Sequence, residues 1–324
     1  EICTPVLRLL QELSVPRSDE SCSSRLHICR LISKAACVYS SRITAIAPEK
    51  IPADSVYSIK MKGISVCFHT FANLLSCQFV RSDLFDVYKD PSLTLMFEAA
   101  FSMLVAVSPD DIMAFLKLRS AYFSLMRKIS QSYVEVITGL DNASFIHMLN
   151  VLRQGFDSPA CEVLTASSNI LAPVLNTAFE LLGNKKIDKK NADNLFVLIR
   201  DNRKELDDLM INLLNVVLFE NTIMVTCVQN LLMLLIQLDY EMFTRQCDIY
   251  IQSLNSEANI PALQRRFASF SASAAALPYN DPRNEFIPLL MDFRKDVADL
   301  MEESQVTPIK TDEQKLNAGS GMHN

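Results

Sequence analysis

Cys22, His27 and Cys29 stand close together near the start of the chain, with Cys37 a little further on. Thiolates and an imidazole are the ligands zinc prefers, but zinc sites need them to converge on one point, usually through C-x2-4-C and H-x3-5-H spacings. Those spacings are absent. Cys29 follows His27 by two positions, which on a helix sends the two side chains to different faces. Cys67 and His69, the nearest thing to a nucleophile beside a base, have the same fault. Cys161 is a third isolated thiol. No G-x-S-x-G elbow, phosphate-binding loop or dinucleotide fingerprint occurs. Carboxylates are plentiful, yet they sit in caps or on charged helix faces. The residues therefore predict no catalytic group, no metal and no cofactor.

One concentrated basic stretch remains, "GNKKIDKKNADN" at Gly183–Asn194. Lys185, Lys186, Lys189 and Lys190 form a candidate partner-binding loop for an acidic surface. The plainer alternative is a solvated loop between repeats, and a nuclear localisation signal is a third reading.

The elements that must carry these residues are helices. The chain has 324 residues, 49% hydrophobic, with only 6 Gly and no Trp, and so little Gly argues against folds rich in tight turns. Apolar residues recur with helical period along the whole chain. Val56, Ile59, Ile64, Phe68, Phe71 and Leu75 make one face, and Leu93, Met96, Ala100, Met103, Leu104 and Val107 a second. Ile260, Leu263, Phe267, Phe270 and Leu277 make a third. The clearest is Phe286, Leu289, Leu290, Phe293, Val297, Leu300 and Met301, with Asp292, Lys295, Asp296 and Asp299 opposite. Asp90-Pro91, "SPDD" at Ser108–Asp111 and "GLDNAS" at Gly139–Ser144 punctuate helix ends. Asn142-Ala143-Ser144 also reads as a glycosylation sequon, but the cap reading is preferred.

The run "LLNVVLFENTIMVTCVQNLLMLLIQLDYEMF" is as greasy as a membrane span. Thr226, Gln229, Asn230 and Gln237 interrupt it along one stripe, so it reads as a helix buried by protein with a narrow polar edge. A net charge of −6 makes nucleic acid an unfavourable direct partner. Nine scattered Cys without a C-x-x-C pair read as reduced thiols of a nucleocytoplasmic protein.

Roughly a dozen helices of about 12–22 residues with short connections are expected to pair antiparallel. Candidate pairs are 91–128, 129–155, 190–220, 222–253 and 257–302. A pair every 35–45 residues or so, without strict repetition, predicts an all-α, HEAT-like α-solenoid over residues 1–303 and a polar flexible tail over 304–324. The chain opens on Glu1 without a secretory signal or a polar capping helix, which reads as a piece of a longer protein.

"IPADSVYSIKMKGISVCFHTFANLL" at Ile51–Leu75 resembles the nuclear export receptors of the importin-β superfamily, in their C-terminal third. So do "LRSAYFSLMRKISQSYVEVITGLDNASFIHML", "LLNVVLFEN" and "FIPLLMDFRKDVADLM", in order from about Leu26 to Met301. The resemblance implies a HEAT solenoid that binds the GTP form of the small GTPase Ran together with folded protein cargo. It implies contact with nucleoporins and shuttling between nucleus and cytoplasm through the pore, without an enzymatic activity, a direct nucleic-acid partner or a membrane. The family's main Ran contacts lie in repeats N-terminal to this region, so no Ran-contact residue carries over. A HEAT scaffold with a static assembly role is the alternative.

Overall fold

In the computed structural model, residues 3–16, 21–46, 55–77, 80–183, 189–253, 260–277 and 282–302 are described. They are helical with short connections, and no strand occurs among them. The all-α expectation therefore holds. The chain divides into two compact units, Glu1–Val151 and Leu152–Asn324.

Unit 1 contains α1 (Cys3–Ser14), α2 (Cys22–Thr44), α3 (Lys62–Leu75), α4 (Ser82–Val87), α5 (Ser92–Val105), α6 (Pro109–Ala114), α7 (Leu116–Ser132) and α8 (Val134–Thr138). It ends within α9 (Asn142–Phe156). The helices stack in two rows, solenoid-fashion: α1 on α3 on α7 in one, α2 on α5 in the other. The expected antiparallel neighbours are thus supplemented by close packing between alternate helices. α7 runs through position 128, so the boundary expected between 128 and 129 is wrong. α4, α6 and α8 are one-turn pieces that the periodicity was too short to mark.

The α2–α5 contact is held in register by hydroxyls and a thiol. Ser33 Oγ donates to the Ser92 carbonyl at 2.7 Å, Cys37 Sγ to Leu95 at 3.6 Å and Ser40 Oγ to Ala99 at 3.3 Å. The donors are spaced i, i+4, i+7 and the acceptors advance in the same direction, so the two helices run parallel. Each acceptor carbonyl has a second lone pair to offer beyond its own helical bond. The Arg30 guanidinium closes one end of the row at 2.5 Å from Asp90.

Ile64, Phe68, Phe71 and Leu75 are buried as their spacing predicts, but Ile59 is 47% exposed. The cause is a π-helical turn, Tyr57–Met61, in which the Lys62 N–H bonds the Tyr57 carbonyl. The extra residue in that turn rotates everything upstream of it relative to α3. Lys60 and Met61 are buried in place of Ile59, and Lys60 Nζ donates to the Ala106 carbonyl at 2.6 Å, just past the end of α5. Gly63 follows at once. A Cβ there would collide with the hydroxyl end of the Tyr39 side chain of α2, so glycine leaves room for that ring.

Asp90, Ser108 and Asp141 act as helix caps. Asp90 accepts from the Ser92 N–H at 3.0 Å, Ser108 from Asp111 at 3.1 Å and Asp141 from Ser144 at 2.9 Å. The cap of α9 is therefore Asp141, while Asn142 is its first helical residue. The carbonyl of Val107, beyond α5, takes a 2.6 Å hydrogen bond from Nε2 of His147 in α9. Burial lowers the pKa of His147, against the opposing pull of that bond, and burial lowers His69 as well. Both rings bind a proton more readily in the unfolded chain. Stability is therefore complete above the ordinary histidine value of 6.5 and declines as pH falls below it. Melting temperature is expected to drop from pH 7.5 to about 5.5, and His147→Gln, which keeps a donor for Val107, is expected to flatten that drop. Parallel melting curves of variant and wild type across this range would rule His147 out.

Unit 2 contains α10 (Cys161–Gly183), α11 (Lys189–Asp201), α12 (Arg203–Phe219), α13 (Thr222–Leu238), α14 (Tyr240–Ser253), α15 (Ile260–Ala275) and α16 (Pro282–Glu302). The greasy run Leu213–Phe243 is broken at Glu220–Asn221 and at Asp239, so it supplies the end of α12, all of α13 and the start of α14; α10, α12, α14, α15 and α16 all pack on α13. Leu231, Leu232, Leu235 and Ile236 are at most 1% exposed, while Gln229, Asn230 and Gln237 stay partly open along the polar stripe. Among the described residues, no single helix is long and apolar enough to cross a membrane. Phe293 on α16 stacks on Phe270 and meets Phe267 edge-on. Asp292, Lys295, Asp296 and Asp299 face water, as expected of the opposite side. Residues 304–324 lie outside the described residues.

Candidate functional site

The sequence's candidates for chemistry separate in space. Cys29 is buried and His27 exposed; the Cys22 side chain lies outside the described residues. Among the described residues no group of His, Cys, Asp or Glu could hold a metal. Cys67 is sealed in the core of unit 1, and burial pushes its thiol up to about 12, so it carries no thiolate at neutral pH. Cys29 is pushed up to about 11, chiefly by burial. Lys185 and Lys186 lie outside the described residues. Lys189 and Lys190 begin α11, but their side chains are outside the description too.

What sequence reading missed is a groove in unit 1. Short α4, long α5, one-turn α8 and the start of α9 enclose a cavity of about 800 Å³. Phe85, Leu93, Phe97, Phe101, Tyr133 and Leu140 form its apolar lining. The Phe97 and Tyr133 rings, 5.5 Å apart, tie α5 to the end of α7. Tyr133 in turn donates its hydroxyl proton to the Val80 carbonyl. The floor is therefore fixed by packing and needs no partner to form.

The rim is acidic. Asp86, Asp90, Glu98, Glu135 and Asp141 all line the groove, and no Lys or Arg does. Two of these are already committed. Burial opposes the charge of Asp90, but hydrogen bonds from Ser92 and Arg30 outweigh it and hold its pKa low. The backbone N–H of Ser144 does most to lower Asp141. Asp86, Glu98 and Glu135 are exposed and have no cationic partner among the described residues. Lys89, in the α4–α5 turn, is the nearest cation in sequence and is exposed. The carboxylates come from three elements, so their spacing gives no signature. Each looks like one more charge on a solvated helix face.

An apolar floor under unpaired carboxylates suits binding. It can bury aliphatic or aromatic side chains, at about 1.5–3 kcal/mol for each one fully covered, and set cations at the rim.

Known proteins were compared with the chain. No family model matches it, and no solved structure matches it. Ran-binding protein 17 of Mus musculus is 25% identical over 323 residues, 95% of this chain. Exportin-7-B of Xenopus laevis is 24% identical over 315 residues, 94% of the chain. This chain is similar to exportin-7. Ran-binding protein 16 of Drosophila melanogaster is 28% identical over 234 residues, 68% of the chain and 21% of the relative. The chain spans 29% of the length of exportin-7-B and of mouse Ran-binding protein 17. The similarity to exportin-7 covers nearly all of this chain, so it takes in both units and the groove, and the resemblance to nuclear export receptors read from the sequence agrees with it.

Proposed function

We propose that this chain is part of a nuclear transport receptor and that the acidic groove of unit 1 takes up protein cargo. The observation that carries the receptor reading is the similarity to exportin-7 and Ran-binding protein 17 across about 95% of the chain. Those names support Ran as a second ligand. Our reading adds that Ran is held in its GTP form, cooperatively with cargo, and that nucleoporins are met in transit. On this reading the protein shuttles between nucleus and cytoplasm and is not an enzyme. Its main Ran surface lies elsewhere on a longer chain. The groove's chemistry selects the cargo segment: one or two large apolar side chains flanked by Lys or Arg. The basic stretch Gly183–Asn194, with Lys185, Lys186, Lys189 and Lys190, is proposed as a second contact, for an acidic surface.

The test uses the longer receptor that contains this chain. GTP-locked Ran is expected to be captured in preference to the GDP form, and equal capture would favour a static scaffold. A fluorescent peptide with leucine anchors and lysine flanks is titrated beside one with glutamate flanks. Reversing Asp86, Glu98 and Glu135 to Lys should weaken the lysine peptide by roughly tenfold to a hundredfold at low salt, since partly exposed charges contribute up to about 1 kcal/mol each. Equal binding of the two peptides to the unaltered protein would remove the groove from the reading.

A further inference from the structure

Cys161 opens α10 and Cys227 lies on α13, 66 positions later, yet their sulfurs are 3.3 Å apart. Thr165, one turn into α10, sits beside them. Its hydroxyl lies 3.0 Å from the Cys227 sulfur and also bonds the Cys161 carbonyl at 2.7 Å. Both cysteines are partly exposed, unlike Cys29, Cys67, Cys77 and Cys247, which are buried. No other two thiols touch among the described residues. The contact is made where α10 packs along α13, the central helix of unit 2.

We propose that Cys161 and Cys227 are a peroxide-oxidisable pair that forms a reversible disulfide and clamps α10 to α13. In the first step one thiolate attacks hydrogen peroxide; the O–O bond breaks, the sulfur becomes a sulfenic acid and one water leaves. In the second, the other thiol attacks that sulfur; the S–S bond forms, and the sulfenic oxygen leaves as a second water. The sum is two thiols and one peroxide giving one disulfide and two waters, the sulfurs being oxidised and the peroxide oxygens reduced. A disulfide bond is about 2.0 Å long, so the sulfurs must close by about 1.3 Å. That is within reach of a small change in side-chain torsion when both sulfurs already touch. Burial raises the Cys227 thiol, with Cys161 adding to the rise and Thr165 opposing it, so oxidation should quicken as pH increases. The reverse step is thiol exchange with a small-molecule or protein dithiol.

The pair does not depend on the transport reading, and neither does its test. The reduced 324-residue chain is treated with a small excess of hydrogen peroxide, quenched with N-ethylmaleimide and digested without reductant. The expected product is a Cys161–Cys227 cross-linked peptide, with the intact protein about 2 Da lighter and restored by dithiothreitol. Hydrogen exchange in α10 and α13 should then slow by at least about tenfold, because the bond closes a loop of roughly 66 residues. Cys161→Ser should abolish the cross-link and leave a sulfenic acid on Cys227 that dimedone traps. Cys37 on α2 is the internal control, since it is partly exposed but has no thiol beside it, and it should give no cross-link to either partner. The proposal is overturned if both thiols remain alkylatable when Cys37 is oxidised, or if cross-links fall at random among the cysteines. Because those readings come from the wild-type chain, they stand even if the serine variant folds poorly.

Discussion

Phe293→Ala should destabilise the C-terminal end of unit 2 by about 3–5 kcal/mol, the usual cost of emptying a phenylalanine site in a core. The ring is 6% exposed and is held on two sides. Its centroid stands 4.3 Å from Phe270 in a stacked arrangement and 4.9 Å from Phe267 edge-on. Phe270 also meets Phe286, at 6.0 Å, so Phe293 is one of four rings packed between α15 and α16. Removing it leaves a void that α15 and α16 cannot close without losing those ring contacts. Because a stack of helices transmits little beyond nearest neighbours, the damage should stay local. Amide exchange should accelerate first in 286–300 and 263–274, with unit 1 unchanged. Phe293→Leu should recover more than half of the loss. If exchange across 286–300 is unaltered in the alanine variant, the aromatic cluster is not what holds this pair.

Arg25→Met is expected to be comparably severe in unit 1. Arg25 has no exposed surface at all, and its guanidinium spans the end of α1. One terminal nitrogen donates to the Ser14 carbonyl at 3.0 Å and to Leu13 at 3.4 Å, the other to Val15 at 3.1 Å. These are carbonyls that a helix leaves without partners at its C-terminus, and the negative end of its dipole favours a cation there. Methionine matches the stem but strands the buried Ser14 carbonyl, at about 1–3 kcal/mol, and removes the donors of the partly buried Leu13 and Val15 carbonyls as well. Lysine should rescue little, because a single ammonium cannot reproduce a planar fork with three acceptors. The expected result is a lower melting temperature with early proteolysis in α1, while α10–α16 stay protected. A melting curve identical to wild type would mean the carbonyls find water and the arginine is dispensable.

The elements legible in the sequence were those whose buried faces are apolar. α13 and α16 could be drawn from spacing alone, down to the side of Phe293, because large hydrophobes marked every turn. α2 could not. Ile32 and Ile43 are the large hydrophobes among its buried residues; the others, Arg25, Cys29, Ser33, Ala36 and Ser40, are small or polar residues that a search for periodic hydrophobes passes over. They are inside because their hydroxyls and guanidinium are satisfied by backbone carbonyls of other helices, which no local pattern announces. Ile59 was placed on the wrong side for a different reason: a single π-turn changes the count of residues per turn, and sequence alone carries no sign of it. The groove was invisible because its walls are gathered from positions 82–144. The thiol pair was invisible because its members are a whole helical repeat or more apart. In both cases the chemistry lives in contacts between helices distant in sequence, which short-range patterns do not encode.

The parallel alignment of α2 and α5 bears on how the chain reaches its native state. Ser33 meets Ser92 and Ser40 meets Ala99 across the same separation of 59 residues. Two parallel helices cannot zip up from a common turn. The intervening chain must travel out and back before the first of these contacts can form, so the search is for a ring closure rather than a hairpin. Adding residues to such a ring costs only slowly growing entropy, but one residue of slippage turns every donor on α2 by about 100° away from its acceptor. Formation of unit 1 should therefore be slower than its helix content alone suggests, with helices present early and the α2–α5 register locked late.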